Sequence, residues 1–249
     1  MAKTCMILGP SGDGKSTAII VPPSGQFPLR EDGLINMSTY LSAYEGLSSE
    51  STVIFNADGK ELPFPVSKLG WEEGKNLFTS SYRRPLTADF IEKTLEKISG
   101  GSKIKSVVID TINGSMNDKE MLETSKMTYD KWYDLAKDFY RLSVRANSMR
   151  SDLVIYLLGH VALITDATGN ETRLLVTNGK KLEKIHLESK IPVVLHTSVE
   201  QGPDGDNKYV FETQKSRSSA KSPIGMFDKF SIPNSLALVD QKIREYYSI

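Results

Sequence analysis

Residues 9–16 read GPSGDGKS and fit the spacing G-x-x-x-x-G-K-[ST]. The pattern has a physical reason. Gly9, Gly12 and Gly14 let backbone N–H groups turn inward onto phosphate oxygens, a conformation that side-chain-bearing residues resist. Lys15 would reach the β- and γ-phosphates of a nucleotide, and the Ser16 hydroxyl would bind Mg²⁺. The segment Gly9, Pro10, Ser11, Gly12, Asp13, Gly14, Lys15, Ser16, Thr17 is therefore the expected nucleotide cradle, with ATP and Mg²⁺ as expected cofactors. A metal at such a loop also needs a carboxylate from the end of a neighbouring strand. The apolar run SVVID ends in Asp110, which pairs with Ser16 as the expected metal side of the site.

Hydrolysis further needs a group that activates water. Thr111 follows Asp110, where motor ATPases of the AAA+ type usually carry Glu. RecA-like ATPases place the carboxylate after the strand that follows the phosphate loop, and there VIFNADGKE offers Asp58, with Glu61 in reserve. A tight turn would explain Asp-Gly equally well. His160 closes the run LVIYLLGH, where it either senses the terminal phosphate or is a strand-end histidine bonded to backbone. Two basic stretches complete the inventory. Residues 173–190 carry Arg173, Lys180, Lys181, Lys184 and Lys190, and residues 215–221 carry Lys215, Arg217 and Lys221 without an acid. Either could neutralise DNA phosphates, reach a neighbouring subunit's ATP as an arginine finger does, or stay solvated.

These residues need elements to hold them. Thr4–Leu8 reads as a buried strand entering the loop, and STAIIV as a short buried helix stopped by Pro22 and Pro23, adding its positive dipole end to the phosphate site. Residues 22–52 look irregular, with a helical turn near MSTYLSAYEGL. TVIF (52–55), NLFTS, IKSVVID (104–110) and LVIYLLGH (153–160) are strands. Thr87 caps the helix ADFIEKTLEKI, whose Phe90, Ile91, Leu95 and Ile98 share one face. A long helical region follows Asp110, with Trp132, Leu135, Ala136, Phe139, Leu142, Ala146 and Met149 at helical spacing. Residues 161–190 suggest an exposed hairpin or loop, and PVVLHTSVE and DNKYVFETQ two late strands joined at QGPDGD. A helix near SLALVDQKIREYY ends the chain. Strands alternating with helices predict one α/β domain over 1–249, with a mostly parallel sheet flanked by helices and antiparallel late strands.

The 249 residues suffice for a core without staples. Lys+Arg and Asp+Glu balance at 31 each, so attraction to nucleic acid or membrane would have to come from local patches. The single cysteine, Cys5, excludes an intrachain disulfide and a Cys-rich zinc site, and its apolar neighbours make it a core residue. No stretch reads as a signal peptide or a membrane span, so a cytoplasmic setting is expected.

GPSGDGKST, NADGKELPF, KSVVIDT, LLGH, NGKKLE, YVFETQ…AKSPIGMF and LVDQKIREYY occur in the order found in phage-encoded P-loop ATPases. The chain resembles that group, which includes the Sak-type single-strand annealing proteins and is similar to a RecA core without flanking domains. The resemblance runs over nearly the whole chain, and only the phosphate loop is specific by itself. It implies a RecA-like P-loop NTPase that binds single-stranded DNA and promotes annealing or strand exchange in phage recombination. It also implies filaments or rings with ATP between subunits, and a single-strand binding protein as a further partner. By the same resemblance Lys215, Arg217 and Lys221 act in trans, residues 161–180 form the DNA loop, and Asp58 in place of Glu implies slow, DNA-stimulated turnover. Two other readings compete. A small-molecule or nucleotide kinase would use lid arginines, for which Arg141, Arg145 and Arg150 are available, although their spacing also suits one solvated helix face. A nucleotide-dependent switch or loader acting on a protein partner would keep Lys15 and Asp110 but need neither Asp58 nor DNA.

Overall fold

The computed structural model describes residues 1–122, 129–165, 169, 171–176, 186–202 and 206–249. Its centre is a sheet of eight strands in the order β10-β9-β8-β1-β5-β4-β2-β3. The strands are β1 (Lys3–Leu8), β2 (Thr52–Asn56), β3 (Leu77–Thr79), β4 (Ser106–Asp110), β5 (Val154–Gly159), β8 (Val193–Gln201), β9 (Asn207–Glu212) and β10 (Ser231–Pro233). From β3 to β8 neighbours run parallel, whereas β8, β9 and β10 are antiparallel. The α/β architecture expected from the sequence, with its antiparallel late strands, is present.

Both faces of the parallel strands are covered, which is why they read as unbroken apolar runs rather than alternating ones. Met6, Leu8, Phe55, Ile109 and Leu157 point to one face. There they meet α2 (Ala88–Ser99), the start of α3 (Ile112–Leu122), and Leu142 and Ala146 of α4 (Tyr129–Ala146). Cys5, Ile7, Ile54, Val108 and Tyr156 point to the other face. That side is closed by Ile19, Tyr40 of α1 (Met37–Ser42), Trp71, and Val239 and Ile243 of α5 (Leu236–Tyr247). Thr87 caps α2 as its residue type predicts, accepting the Phe90 N–H at 3.3 Å. Cys5 is fully buried, as core filling requires.

The helix expected after the phosphate loop is reduced to a single 3₁₀ turn, Thr17–Ile19. Pro22 lacks an N–H and disfavours helical backbone at Val21, so only about one turn fits between Lys15 and the proline. Ala18, Ile19, Ile20 and Val21 are buried as expected, but no helix of useful length points its positive end at the cradle. The hairpin expected after His160 is present as a separate two-stranded sheet, β6 (Val161–Thr165) and β7 (Glu171–Leu175). Trp132, Leu135, Ala136, Phe139, Lys180, Lys181 and Lys184, together with the NGKKLE motif, lie outside what the structure describes of side chains.

Candidate nucleotide site

The sheet register gathers the site residues on one edge. Asn56 is paired with Asp110, Ile109 with Leu157, and Leu8 with Gly159. Gly9, Asp58, Thr111 and His160 therefore leave the carboxyl ends of β1, β2, β4 and β5 at nearly one level, the usual place for a ligand in an open α/β sheet. Strand β5 lies between the strand entering the phosphate loop and the strand ending in Asp110. A cleft of about 290 Å³ opens there, lined by Ser11, Lys15, Ser16, Asp110, Thr111 and His160, with Lys60 and Glu61 on its rim.

The loop has the conformation its glycines predict at two positions, Gly12 at φ +90° and Gly14 at φ +78°. Gly9 is a glycine for a different reason. A Cβ there would stand 1.7 Å from Thr197 Oγ1 of β8. The late strands brace the loop as a short helix could not. Thr197 Oγ1 donates to Asp13 Oδ2 at 3.4 Å, Asn234 Nδ2 donates to the Asp13 and Gly14 carbonyls at 3.3 Å each, and the Tyr209 ring abuts Gly14.

Lys15 is 6% exposed and folded back, donating to the Gly9 carbonyl at 2.8 Å and the Pro10 carbonyl at 2.6 Å. Burial holds its ammonium below the ordinary lysine range, against the attraction of Asp110 and Asp13. Asp110 is 1% exposed, and both of its carboxyl oxygens are buried without a hydrogen-bond partner of normal geometry. Burial pushes its pKa up to about 6, while the Ser16 hydroxyl, Lys60 and Lys15 oppose the rise. Such a carboxylate is costly to bury by itself, and a cation beside it would offset that cost. Ser16 and Asp110 thus fit Mg²⁺, which would leave its remaining positions to phosphate oxygens and water. No cluster of three or more His, Cys, Asp or Glu that could hold a metal ion occurs among the described residues.

Asp58 sits in the turn just past β2. Thr111 Oγ1 donates to its Oδ1 at 2.6 Å, and Lys60 Nζ lies 3.0 Å from its Oδ2. Burial raises its pKa, but the Thr111 and Lys60 interactions outweigh that and hold it below the ordinary value. His160 reaches the same cleft. Burial and the charges of Lys15 and Lys60 depress its pKa, so the imidazole is neutral at pH 7. The His160 backbone N–H donates to Asn113 Oδ1 at 2.8 Å, its backbone carbonyl accepts the Val176 N–H at 2.8 Å, and Asn113 Nδ2 donates to the Val176 carbonyl at 2.8 Å. Asn113 therefore clasps both feet of the β6–β7 hairpin beside His160.

Lys215, Arg217 and Lys221 do not line this cleft. They follow β9 at the base of the hairpin, where the Arg217 carbonyl accepts the Arg173 N–H at 3.0 Å. Lys215 and Arg217 are exposed. Lys221 is half-buried, its backbone bridged to Val194, and burial lowers its pKa against the attraction of Glu188. Arg173 is committed to Glu212, donating to both carboxylate oxygens at 2.6 Å. The three arginines a kinase lid would use are also engaged elsewhere. Arg141 and Arg145 pair with Glu92 of α2 at 2.8 Å each, and Arg150 pairs with Asp152 at 2.6 Å.

Sequence reasoning weighed Thr111 only as the absence of Glu and passed over Lys60, although it lies two residues after Asp58 in the same turn. Asn113, Thr197, Tyr209 and Asn234 carry no local signal, because their roles depend on contacts that only the fold creates.

No protein-family model and no curated protein matches the chain. Among solved structures it is similar to a KaiC-like protein from the hyperthermophilic archaeon Pyrococcus horikoshii OT3, at 13% identity and a TM-score of 0.45, over 86% of this chain and 79% of that one. No helix among the described residues is long and apolar enough to cross a membrane.

Proposed function

We propose that the protein is a RecA-like ATPase that binds Mg·ATP and single-stranded DNA and promotes annealing or strand exchange in phage recombination. The observation that carries the nucleotide half is the buried Asp110 carboxylate in one cleft with Lys15 and Ser16, beside an Asp58 held by two residues of the cleft lining, Thr111 and Lys60. Lys15 would leave the Gly9 and Pro10 carbonyls for the β- and γ-phosphates, while loop N–H groups hold the remaining oxygens. Mg²⁺, held by Ser16 and Asp110, would neutralise charge on the phosphates. Asp58, aimed by Thr111, would accept a proton from water as its oxygen bonds to the γ-phosphorus. The bond from that phosphorus to the β–γ bridging oxygen breaks, leaving ADP and inorganic phosphate.

The link to DNA is supported by position. His160 faces the cleft and is the residue from which the β6–β7 hairpin departs. Assembly into filaments or rings would let Lys215, Arg217 and Lys221 reach a neighbour's nucleotide.

One observation favours a switch or loader acting on a protein. β6 exposes Leu163 and Ile164, 58% and 47% accessible, while the hairpin's described cation, Arg173, is tied to Glu212. Apolar side chains of this kind suit a protein surface at least as well as bases. Release of phosphate from ATP, measured with and without single-stranded DNA, decides between the readings. Stimulation by DNA supports the recombinase, binding without turnover supports the switch, and transfer of phosphate to a small acceptor would sink both.

A further inference from the structure

The carboxylate of Asp58 is engaged on both sides, by Thr111 at Oδ1 and by Lys60 at Oδ2. Lys60 belongs to the same turn, and its backbone is fixed. Asn56 Nδ2 donates to the Lys60 carbonyl at 2.6 Å, Gly59 adopts φ +67°, and a Cβ on Gly59 would stand 2.7 Å from the Ser80 carbonyl. The side chain is not fixed in this way. It is 53% exposed, borders the cleft beside Lys15, Ser16, Asp110 and His160, and carries its ammonium on a flexible four-carbon stem. Its charge acts on Lys15, Asp58, Asp110 and His160 alike. A cation that lines this cleft together with Lys15 and Ser16 is placed beside the space that a terminal phosphate would enter.

We propose that Lys60 is a triphosphate-operated latch, pairing with Asp58 in the nucleotide-free site and moving to the terminal phosphate of a bound nucleoside triphosphate, which frees Asp58 to take the proton of water. The inference rests on reading the cleft as an ATPase site. An ion pair this exposed is weakly held, and a terminal phosphate offers more negative charge than a single carboxylate. Once Lys60 leaves, Asp58 Oδ2 is open to a hydrogen bond from water, at the moment a triphosphate is present. A diphosphate lacks the group that draws Lys60 away, so the latch stays closed after phosphate departs. The device gives the site discrimination between ATP and ADP without a neighbouring subunit.

The test uses the full-length protein with Mg²⁺ and two fluorescent nucleotides, a diphosphate and a non-hydrolysable triphosphate. Lys60→Met should weaken triphosphate binding about tenfold while diphosphate affinity changes by less than about twofold. Lys60→Arg should keep most of the preference for the triphosphate. Equal affinities in wild type and Lys60→Met, or a parallel loss of both nucleotides, would overturn the latch while leaving the ATPase reading in place. If the wild type binds neither nucleotide, the ATPase reading fails and the latch falls with it.

Discussion

Thr111 Oγ1 donates a 2.6 Å hydrogen bond to Asp58 Oδ1 and accepts the Gly114 N–H at 3.1 Å. The residue after Asp110 thus holds the Asp58 carboxylate, and does so from the position just before α3. A Cβ on Gly114 would stand 2.7 Å from Asp58 Oδ1, so that turn packs closely on the same group.

Thr111→Val should therefore slow turnover about tenfold while ATP affinity stays within about twofold, because the lost bond orients a base rather than binds substrate. Thr111→Ser should retain most of the rate. Steady-state phosphate release together with nucleotide titration measures both quantities.

Asp110 gives a prediction about stability. Its folded pKa, near 6, stands above the ordinary carboxylate value of 3.8, so between those limits the folded protein binds more protons than the unfolded chain. Stability conferred on the nucleotide-free protein accordingly falls as pH rises through that window, by roughly 3 kcal/mol in all at about 1.4 kcal/mol per unit. Asp110→Asn should raise the melting temperature at pH 7.5, with the advantage shrinking near pH 5, while Mg²⁺-dependent nucleotide binding is lost. Thermal melts of both proteins without nucleotide at the two pH values measure the effect.

Lys15→Ala should abolish nucleotide binding, since the phosphates lose their one buried cation. Asp58→Asn should leave ATP bound and cut hydrolysis by about a hundredfold or more. Calorimetric titration and phosphate release separate the two variants, and unchanged turnover in Asp58→Asn would remove that residue from the mechanism.

Gly9→Ala places a methyl group against Thr197 Oγ1 and should destabilise the protein by about 1–3 kcal/mol, with loss of nucleotide binding. Thr197→Gly in the same chain should restore part of both. Melting temperature and nucleotide affinity of the single and double variants check the contact.

The sequence revealed what local chemistry dictates. Gly12, Gly14, Lys15 and Ser16 announce a phosphate cradle because few other residue types can take that backbone and charge. Strands such as Ser106–Asp110 and Val154–Gly159 were visible because burial on both faces demands unbroken apolar runs. Other features were hidden for equally physical reasons. Pro22 marks the end of a helix but not that only a single turn precedes it. Strand β10 has three residues, one of them Pro233, and pairs only because β9 is already in place. The pairing of Lys60 with Asp58 depends on a side-chain torsion, which residue spacing does not encode.

The support of the phosphate loop by Thr197, Tyr209 and Asn234 has a consequence for the order in which the protein is made. Strand β1 is made before every other strand of the sheet, yet both strands that flank it, β5 and β8, are synthesised more than a hundred residues later. During translation the chain carries the GPSGDGKS loop long before it carries the braces that shape it. The last of these braces, Asn234, is made after every strand of the sheet, so the loop reaches its braced shape only when the whole sheet has been synthesised.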